Sequence, residues 1–209
     1  MTLPLSEHQQ NALIEIFNIG VRQAASCMSH IAGEEISLSV PKLDILCGAD
    51  QADAIKTAIR SPRICAISQD FTGSLNARAF LIFPEGKTQE IVRRMIGEPS
   101  GTDELSVMEQ EALSEIGNII LNSCISSLPG ALQDSFHCSL PAYHMGSADE
   151  ILFADNARDD DLLMLFYMRF PMSRAHIDGY LVFLLNPPSF NTLIKQVDQL
   201  LRGPHGNGN

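Results

Sequence analysis

The sequence predicts an α+β fold made of two similar halves, each with the element order α-β-β-β-α. Three features indicate this: a segment that recurs at an offset of 100 residues, a helix-capping signal in each copy, and alternating apolar segments after each helix. We expect the halves, about 5–100 and 105–203, to form one domain over 1–209. Joined, they would make one mainly antiparallel sheet of about six strands, with two long helices related by a pseudo-twofold axis.

The duplication is clearest where 5–20 (LSEHQQNALIEIFNIG) aligns with 105–120 (LSVMEQEALSEIGNII). From 5 to 41, twelve positions carry the same residue as the position 100 further on, without a gap. Ordinary composition would give about two or three such matches by chance. The two halves therefore share one structural plan.

Each copy begins with a capping box, in which a Ser is followed three residues later by Gln or Glu and backbone N–H groups at the helix start gain partners. The two boxes are Ser6 with Gln9 and Ser106 with Glu109. They predict long helices near 6–31 and 106–127, which should end at Gly33 and at Pro129-Gly130.

Apolar segments after each long helix predict three strands per half, with short connections typical of antiparallel hairpins. The predicted strands are 35–43, 63–71 and 75–84 in the first half and 135–143, 162–170 and 177–187 in the second. The remaining predicted elements are helices at 88–97 and 189–203, a short helix at 49–58, an acidic loop at 156–161 and a frayed tail at 203–209.

Composition narrows the class of protein. The net charge of −11 argues against a nucleic-acid partner and against an anionic membrane surface, because both attract basic proteins. No apolar run reaches the roughly 18 residues that span a bilayer, and the first residues lack the features of a signal peptide, so we expect a cytoplasmic protein. Five cysteines without a CxxC pair indicate reduced thiols.

A carboxylate and a carboxamide recur in the same register on both long helices. The pairs are Glu15 with Asn18 and Glu115 with Asn118, and a proline follows each Asn after 22 residues, at Pro41 and Pro141. Residues three apart share a helix face. Most other positions have diverged and exposed polar residues drift easily, so retention of both pairs favours a function over the alternative of shared ancestry with too little time to drift.

The chemistry of the pair favours positioning over acid–base catalysis. A carboxamide both donates and accepts hydrogen bonds, so it can hold a water in line with an electrophile that is already reactive. Phosphoryl transfer relies on such positioning. The carboxylate could pair with a cation on the substrate and, for a protein substrate, set the register of docking.

The doubled pattern [D/S]-x3-E-x2-N-x22-P resembles the CheC family of chemotaxis phosphatases, whose relatives include CheX and the N-terminal part of FliY. The resemblance implies hydrolysis of the aspartyl phosphate of the response regulator CheY. Asn18 and Asn118 would position the attacking water, and Glu15 and Glu115 would pair with the regulator's lysine. The resemblance also implies that this chain carries no cofactor and that Mg²⁺ is bound by the regulator.

The sequence departs from the family pattern at the first motif position, which is Asn11 in one half and Glu111 in the other. These two residues, with Pro41 and Pro141, are candidate supporting residues. One turn beyond each Asn lie Arg22 and Asn122, for which contact with the partner and simple solvation remain equally open.

Alternatives remain for the function and for other polar clusters. A non-catalytic chemotaxis or flagellar-switch module that binds CheD or switch proteins is the second hypothesis. Adjacent strand residues face opposite sides of a sheet, which disfavours a metal site at His137, Cys138 and His144. The run from Asp159 to Asp161 is interpreted as a solvated turn.

Overall fold

The computed structural model describes residues 5–48, 51–96, 105–128, 136–153, 161–171 and 176–202. Its helices are α1 (Glu7–Ala32), α2 (Gln51–Ile59), α3 (Glu85–Ile96), α4 (Val107–Ser126), α5 (Ala148–Leu152) and α6 (Pro187–Arg202). Its strands are β1 (Ser39–Cys47), β2 (Ile64–Thr72), β3 (Ala77–Pro84), β4 (His137–Cys138), β5 (Ala142–Gly146), β6 (Leu162–Pro171) and β7 (His176–Leu185). None of the helices in these ranges is both long enough and apolar enough to cross a bilayer.

The seven strands form one sheet in the order β1-β6-β7-β3-β2-β4, and β5 also pairs with β2. Every pairing among them is antiparallel. The sheet is six positions wide, because β4 and β5 share one edge of β2. The predicted α+β class with one mainly antiparallel sheet of about six strands is confirmed.

The two halves exchange their first strands. β1 of the first half pairs with β6 of the second, while β4 and β5 of the second half pair with β2 of the first. The two hairpins, β2-β3 and β6-β7, meet where β3 pairs with β7, so the pseudo-twofold axis passes between these central strands. Each half therefore completes the sheet of the other.

Side chains alternate between two cores, one on each face of the sheet. In β3, Leu81 joins the core beneath α1, α4 and α6, whereas Phe80 and Ile82 join the smaller core beneath α2 and α5. An aromatic cluster fixes α1 to the sheet: the ring of Phe17 stacks on Phe166 at 3.9 Å between centroids. The long helices and their motifs thus lie on the larger core.

Both capping boxes form as predicted, with the Ser6 and Ser106 hydroxyls accepting from the backbone N–H three residues on. Gly33 ends α1 in the left-handed conformation, as expected. The second long helix ends at Ser126, and the predicted stop at Pro129-Gly130 lies outside the described residues. So do the tail at 203–209 and all but the last residue of the loop at 156–161.

Two strand predictions were wrong in their bounds. β1 begins at Ser39 rather than at 35, because the segment before it is tied to the helix: the Ile36 N–H donates to Ser29 Oγ at 2.9 Å. The predicted strand at 135–143 is instead two short strands that leave a gap at 139–141. Pro141 lacks an N–H group for the ladder, and the pairing register slips there.

One element was missed. The short helix α5 follows β5, as α2 follows β1. With β4 and β5 counted as one interrupted strand, each half therefore has the order α-β-α-β-β-α rather than α-β-β-β-α. Its sequence signal was available, since Ser147 and Glu150 form a third capping box.

Candidate functional site

The two motif helices, α1 and α4, lie side by side. A glycine in α1 allows close approach to α4, and a glycine in α4 allows close approach to β2. A Cβ at Gly20 of α1 would lie 2.7 Å from the Cys124 Cα of α4. A Cβ at Gly117 of α4 would lie 2.5 Å from Ile67 Cγ2 of β2. The residue of α1 that corresponds to Gly117 is Phe17, whose ring separates that helix from the sheet. α4 therefore approaches the sheet closely beside its motif, where α1 has an aromatic ring.

In the first half, the carboxamide of Asn18 is occupied by backbone groups. Its Nδ2 donates to the carbonyls of Ile14, at 2.9 Å, and of Val40, at 2.8 Å. Its Oδ1 accepts from the Val40 N–H at 2.9 Å. An Asn amide has two N–H donors, and both are used here. Asn18 thus holds β1 against α1 and keeps only one oxygen lone pair for another group.

The carboxylate of the first motif is also partnered within the helix. Arg22 Nη2 donates to Glu15 Oε1 at 2.9 Å, and Arg22 Nε donates to the Asn18 carbonyl. Both side chains are more than half exposed, so the ion pair is screened by solvent and weakly stabilising. A cation from another molecule would have to compete with Arg22 for this carboxylate.

The second motif has a different set of contacts. Asn118 Oδ1 accepts from Gln69 Nε2 at 3.0 Å and from Asn122 Nδ2 at 2.7 Å, which occupies both of its lone pairs. Asn118 Nδ2 lies 3.4 Å from each oxygen of Glu115, at the long limit for a hydrogen bond. The amino group is therefore the part of this side chain that remains available to a water.

Glu115 is exposed, and no Lys or Arg in the described part of the chain forms an ion pair with it. The residue that corresponds to Arg22 is the neutral Asn122. The second motif thus presents a carboxylate without an ion-pair partner among the described residues, next to an available amide N–H.

Strand residues account for the difference between the two Asn side chains. Lys42 pairs with Tyr167, and its counterpart in the second half, Ala142, pairs with Ser68. Tyr167 and Ser68 are therefore equivalent positions in the two halves. The next residue after Tyr167 is Met168 and the next after Ser68 is Gln69, and both are buried. Gln69 can donate a hydrogen bond to an Asn side-chain oxygen, whereas Met168 has no donor group.

The prolines that follow each Asn after 22 intervening residues lie in corresponding irregularities of the sheet. In the first half, β1 has one residue more than its partner β6 just before Lys42. In the second half, the chain between β4 and β5 has one residue more than its partner β2 just before Ala142, so each half has a β-bulge here. The residue just before the proline differs sharply in exposure: Val40 is 1% exposed and Leu140 is 88% exposed. The Asn18 contacts hold the first bulge inward, whereas the second presents an apolar side chain to solvent.

The remaining candidate residues either form no hydrogen bond with the motif side chains, within the described part of the chain, or contact them in a way that the sequence did not predict. Asn11 and Glu111 are exposed, and among the described residues neither hydrogen-bonds to the Glu or Asn of its own motif. Arg22 and Asn122 contact the motif itself, an arrangement that neither sequence interpretation included. Gln69 was missed. Its signal was its place in the strand alternation, which puts this polar residue on the same face of β2 as Ile67 and Phe71.

The His–Cys cluster does not converge. His144 Nε2 lies 2.8 Å from Ser68 Oγ across β2 and β5, whereas Cys138 is exposed in β4. Burial, with a smaller contribution from Arg78, lowers the pKa of His144, which favours the neutral ring. In the described ranges no three His, Cys, Asp or Glu side chains are arranged to hold a metal ion.

Fold and site define a class of protein with two Glu–Asn helix faces on one strand-exchanged sheet. The family model for the chemotaxis phosphatase CheX matches residues 65–159, a little under half of the chain. The CheY-P phosphatase CheC of Bacillus subtilis (strain 168) is 27% identical over 143 residues, which are 66% of this chain and 66% of CheC. The flagellar motor switch phosphatase FliY of the same organism is 23% identical over 77% of this chain and 42% of FliY. The chain thus spans less than two thirds of the length of these curated relatives.

Solved structures share the fold. FliY of Thermotoga maritima superimposes with a TM-score of 0.73 at 17% identity, covering 94% of this chain and 98% of that chain. CheX of Borrelia burgdorferi, solved in a complex with CheY, BeF3 and Mg²⁺, superimposes with a TM-score of 0.51 at 16% identity, covering 83% and 97%. Sequence and structural matches together confirm the predicted resemblance to the CheC/CheX/FliY superfamily.

Proposed function

We propose that this protein is a phosphatase that hydrolyses the aspartyl phosphate of a CheY-like response regulator. The similarity to CheC and CheX supports this reaction. The observation that carries the proposal is the second motif, where Glu115 is exposed and forms no ion pair with a described residue, and the Asn118 amino group is available on the same helix face. In this mechanism both groups position reactants and neither transfers a proton.

Glu115 would dock the regulator. A regulator of this class offers a lysine beside its phosphorylated aspartate, and an unpaired carboxylate on a rigid helix is complementary to it. Exclusion of solvent on docking strengthens such a pair relative to an exposed surface ion pair. Since the Glu115 and Asn118 side chains lie one turn apart on α4, the same contact brings Asn118 to the phosphoryl group.

Asn118 would hold the attacking water. Its oxygen is anchored by Gln69 and Asn122, so its amino group donates to a water and fixes the position of the water oxygen relative to the phosphorus. The aspartyl phosphate is an already reactive acyl phosphate, so alignment and charge stabilisation supply most of the catalysis. We assign the Mg²⁺ required by such regulators to the partner. We also propose that the reaction takes place in the cytoplasm.

The first motif would contribute little to turnover. Both N–H groups of Asn18 are used by backbone carbonyls, and Glu15 is paired with Arg22. We therefore propose a structural role for Asn18, with Glu15 as a secondary contact for the regulator. Pro41 and Pro141 would act through their bulges, and Asn11 and Glu111 would lie at the edge of the docking face.

The test is the rate of phosphate loss from a phosphorylated CheY-like regulator, with and without this protein. We expect the wild-type chain to accelerate the loss and the double variant Asn18→Ala with Asn118→Ala to abolish the acceleration. An unchanged rate in the double variant, with its fold verified by circular dichroism, excludes the mechanism.

A second function is supported by the likeness to flagellar motor switch proteins. In that case the chain would be a non-catalytic module that binds CheD or switch proteins. This second function predicts that the wild type has no detectable phosphatase activity. It also predicts that the complex with CheD or a switch protein persists in the double Asn variant. Titration of the purified partners by calorimetry distinguishes the two functions.

A further inference from the structure

Gln69 is an amide buried in the middle of β2, with 2% of its surface exposed. Its Nε2 donates to Asn118 Oδ1 at 3.0 Å and to the Ser139 carbonyl at 3.1 Å, and its Oε1 faces Asn122 Nδ2 at 3.5 Å. Burial of a primary amide is unfavourable unless its groups find partners. Here they connect a core strand to the exposed motif of α4 and to the second bulge.

These contacts define which end of the Asn118 carboxamide faces outward. Rotation about the last bond of an Asn side chain is broad and nearly twofold, so the oxygen and the amino group can readily exchange places. With Gln69 and Asn122 both donating to Oδ1, the exchanged orientation would set an NH₂ group against two other donors. The amino group is therefore directed away from the sheet, towards Glu115.

The other half provides an internal comparison. Met168 occupies the position that corresponds to Gln69, and it offers no N–H donor. There Asn18 turns to the Val40 backbone instead, and both of its N–H groups are used. The direction of the motif amide thus follows from the residue beneath it in the sheet.

We propose that Gln69 is a positioning residue for the phosphatase reaction, acting through Asn118 to keep one amide N–H directed at the attacking water. This inference rests on the proposed function. Gln69 does not touch the substrate, so its loss should lower kcat and leave binding of the regulator nearly unchanged.

The decisive variant is Gln69→Met, which gives the second site the core residue of the first. We expect kcat for phosphate loss to fall by about 10- to 100-fold, as is typical when a supporting partner is removed, while KM stays within about twofold. Gln69→Glu keeps the shape but replaces the donor with a carboxylate, and we expect the same loss of kcat. The matched control is Gln51→Met, another buried Gln that donates to backbone carbonyls of Leu46 and Asp161, which should retain wild-type kcat.

Nuclear magnetic resonance of the Asn118 side-chain amide supplies a readout that does not depend on turnover. We expect one fixed pair of NH₂ resonances in the wild type and in Gln51→Met, and shifted, exchange-averaged resonances in Gln69→Met. Wild-type kcat in both Gln69 variants, or a loss confined to KM, overturns the inference. An inactive wild type refutes the proposed function, and an Asn118 amide signal unchanged by Gln69→Met refutes the positioning role independently.

Discussion

The two halves of this molecule place the same Glu and Asn on the same helix turn and give them different neighbours. In the first half Asn18 bonds to the backbone of a buried bulge and Glu15 pairs with Arg22. In the second half Asn118 is anchored by its oxygen only, and Glu115 has no cationic partner among the described residues. The comparison teaches that a motif alone does not define a site, because the surrounding side chains decide which of its atoms stay available.

The largest expected effect is on turnover. Asn118→Ala should lower kcat for phosphate loss by about 100-fold or more, as removal of a preorganised hydrogen-bond donor does in other enzymes. Asn18→Ala should change kcat by less than about threefold, since both of its N–H groups already serve the backbone. Comparable losses in the two single variants, measured with one regulator, would show that the sites work equally and would contradict the asymmetry.

The same two variants should have the opposite order in stability. Asn18→Ala removes the partners of the Val40 N–H and C=O groups, and Val40 is buried, so we expect a loss of about 2 kcal/mol in the free energy of unfolding. Asn118→Ala leaves mainly side-chain amides without a partner, and the loss should be smaller. Urea titrations of both variants measure the difference, and a larger loss for Asn118→Ala is incompatible with the structural role of Asn18.

The bulge residues sharpen the comparison further. Val40→Ala should cost about 1–2 kcal/mol because it removes two buried methyl groups. Leu140→Ala should leave stability unchanged, because this side chain is already in solvent. If Leu140 contacts the regulator, its replacement raises KM several-fold at constant kcat. Equal KM values for Leu140→Ala and the wild type would exclude Leu140 from the docking surface.

The smallest effects concern pH. The contact of His144 with Ser68 and the hydrogen bond that Tyr167 donates to Asp44 at 2.9 Å occupy corresponding positions in the two halves, and they should respond at opposite ends of the pH scale. Burial lowers the pKa of His144, so the unfolded chain binds its proton first and stability falls as pH drops below the ordinary His pKa of about 6.5. Burial and the hydrogen bond to Asp44 raise the pKa of Tyr167, so its contribution is lost as pH rises above about 10. His144→Gln should flatten the acid limb of a stability–pH profile and Tyr167→Phe the alkaline limb. An acid limb unchanged by His144→Gln contradicts the first expectation.

Much of the fold was accessible from the sequence because duplication doubles each signal. The capping boxes defined both long helices to within a residue or two, and apolar alternation identified the hairpins. The start of β1 was misplaced because the Ser29–Ile36 contact, which ties that segment to the helix, has no signature in the strand pattern. The split of β4 from β5 depends on pairing register, which is a property of two segments together.

The motif residues themselves were found from their spacing, but the difference between the copies was not. Asn18 and Asn118 are identical in sequence, and their distinct partners come from residues far along the chain, such as Val40 and Gln69. Gln69 could be noticed only as a polar residue on the face of β2 that carries Ile67 and Phe71. Its role emerges when β2 and α4, about 50 residues apart, are brought together.

The exchange of first strands between the halves has a consequence for synthesis. β1 leaves the ribosome early, yet its pairing partner β6 is translated more than a hundred residues later. Until then the nascent chain exposes an unpaired strand edge and an uncovered apolar helix face, the features that favour misassembly and engagement by chaperones. We therefore expect the sheet to close only after the second half has been synthesised, when both halves can pair with each other.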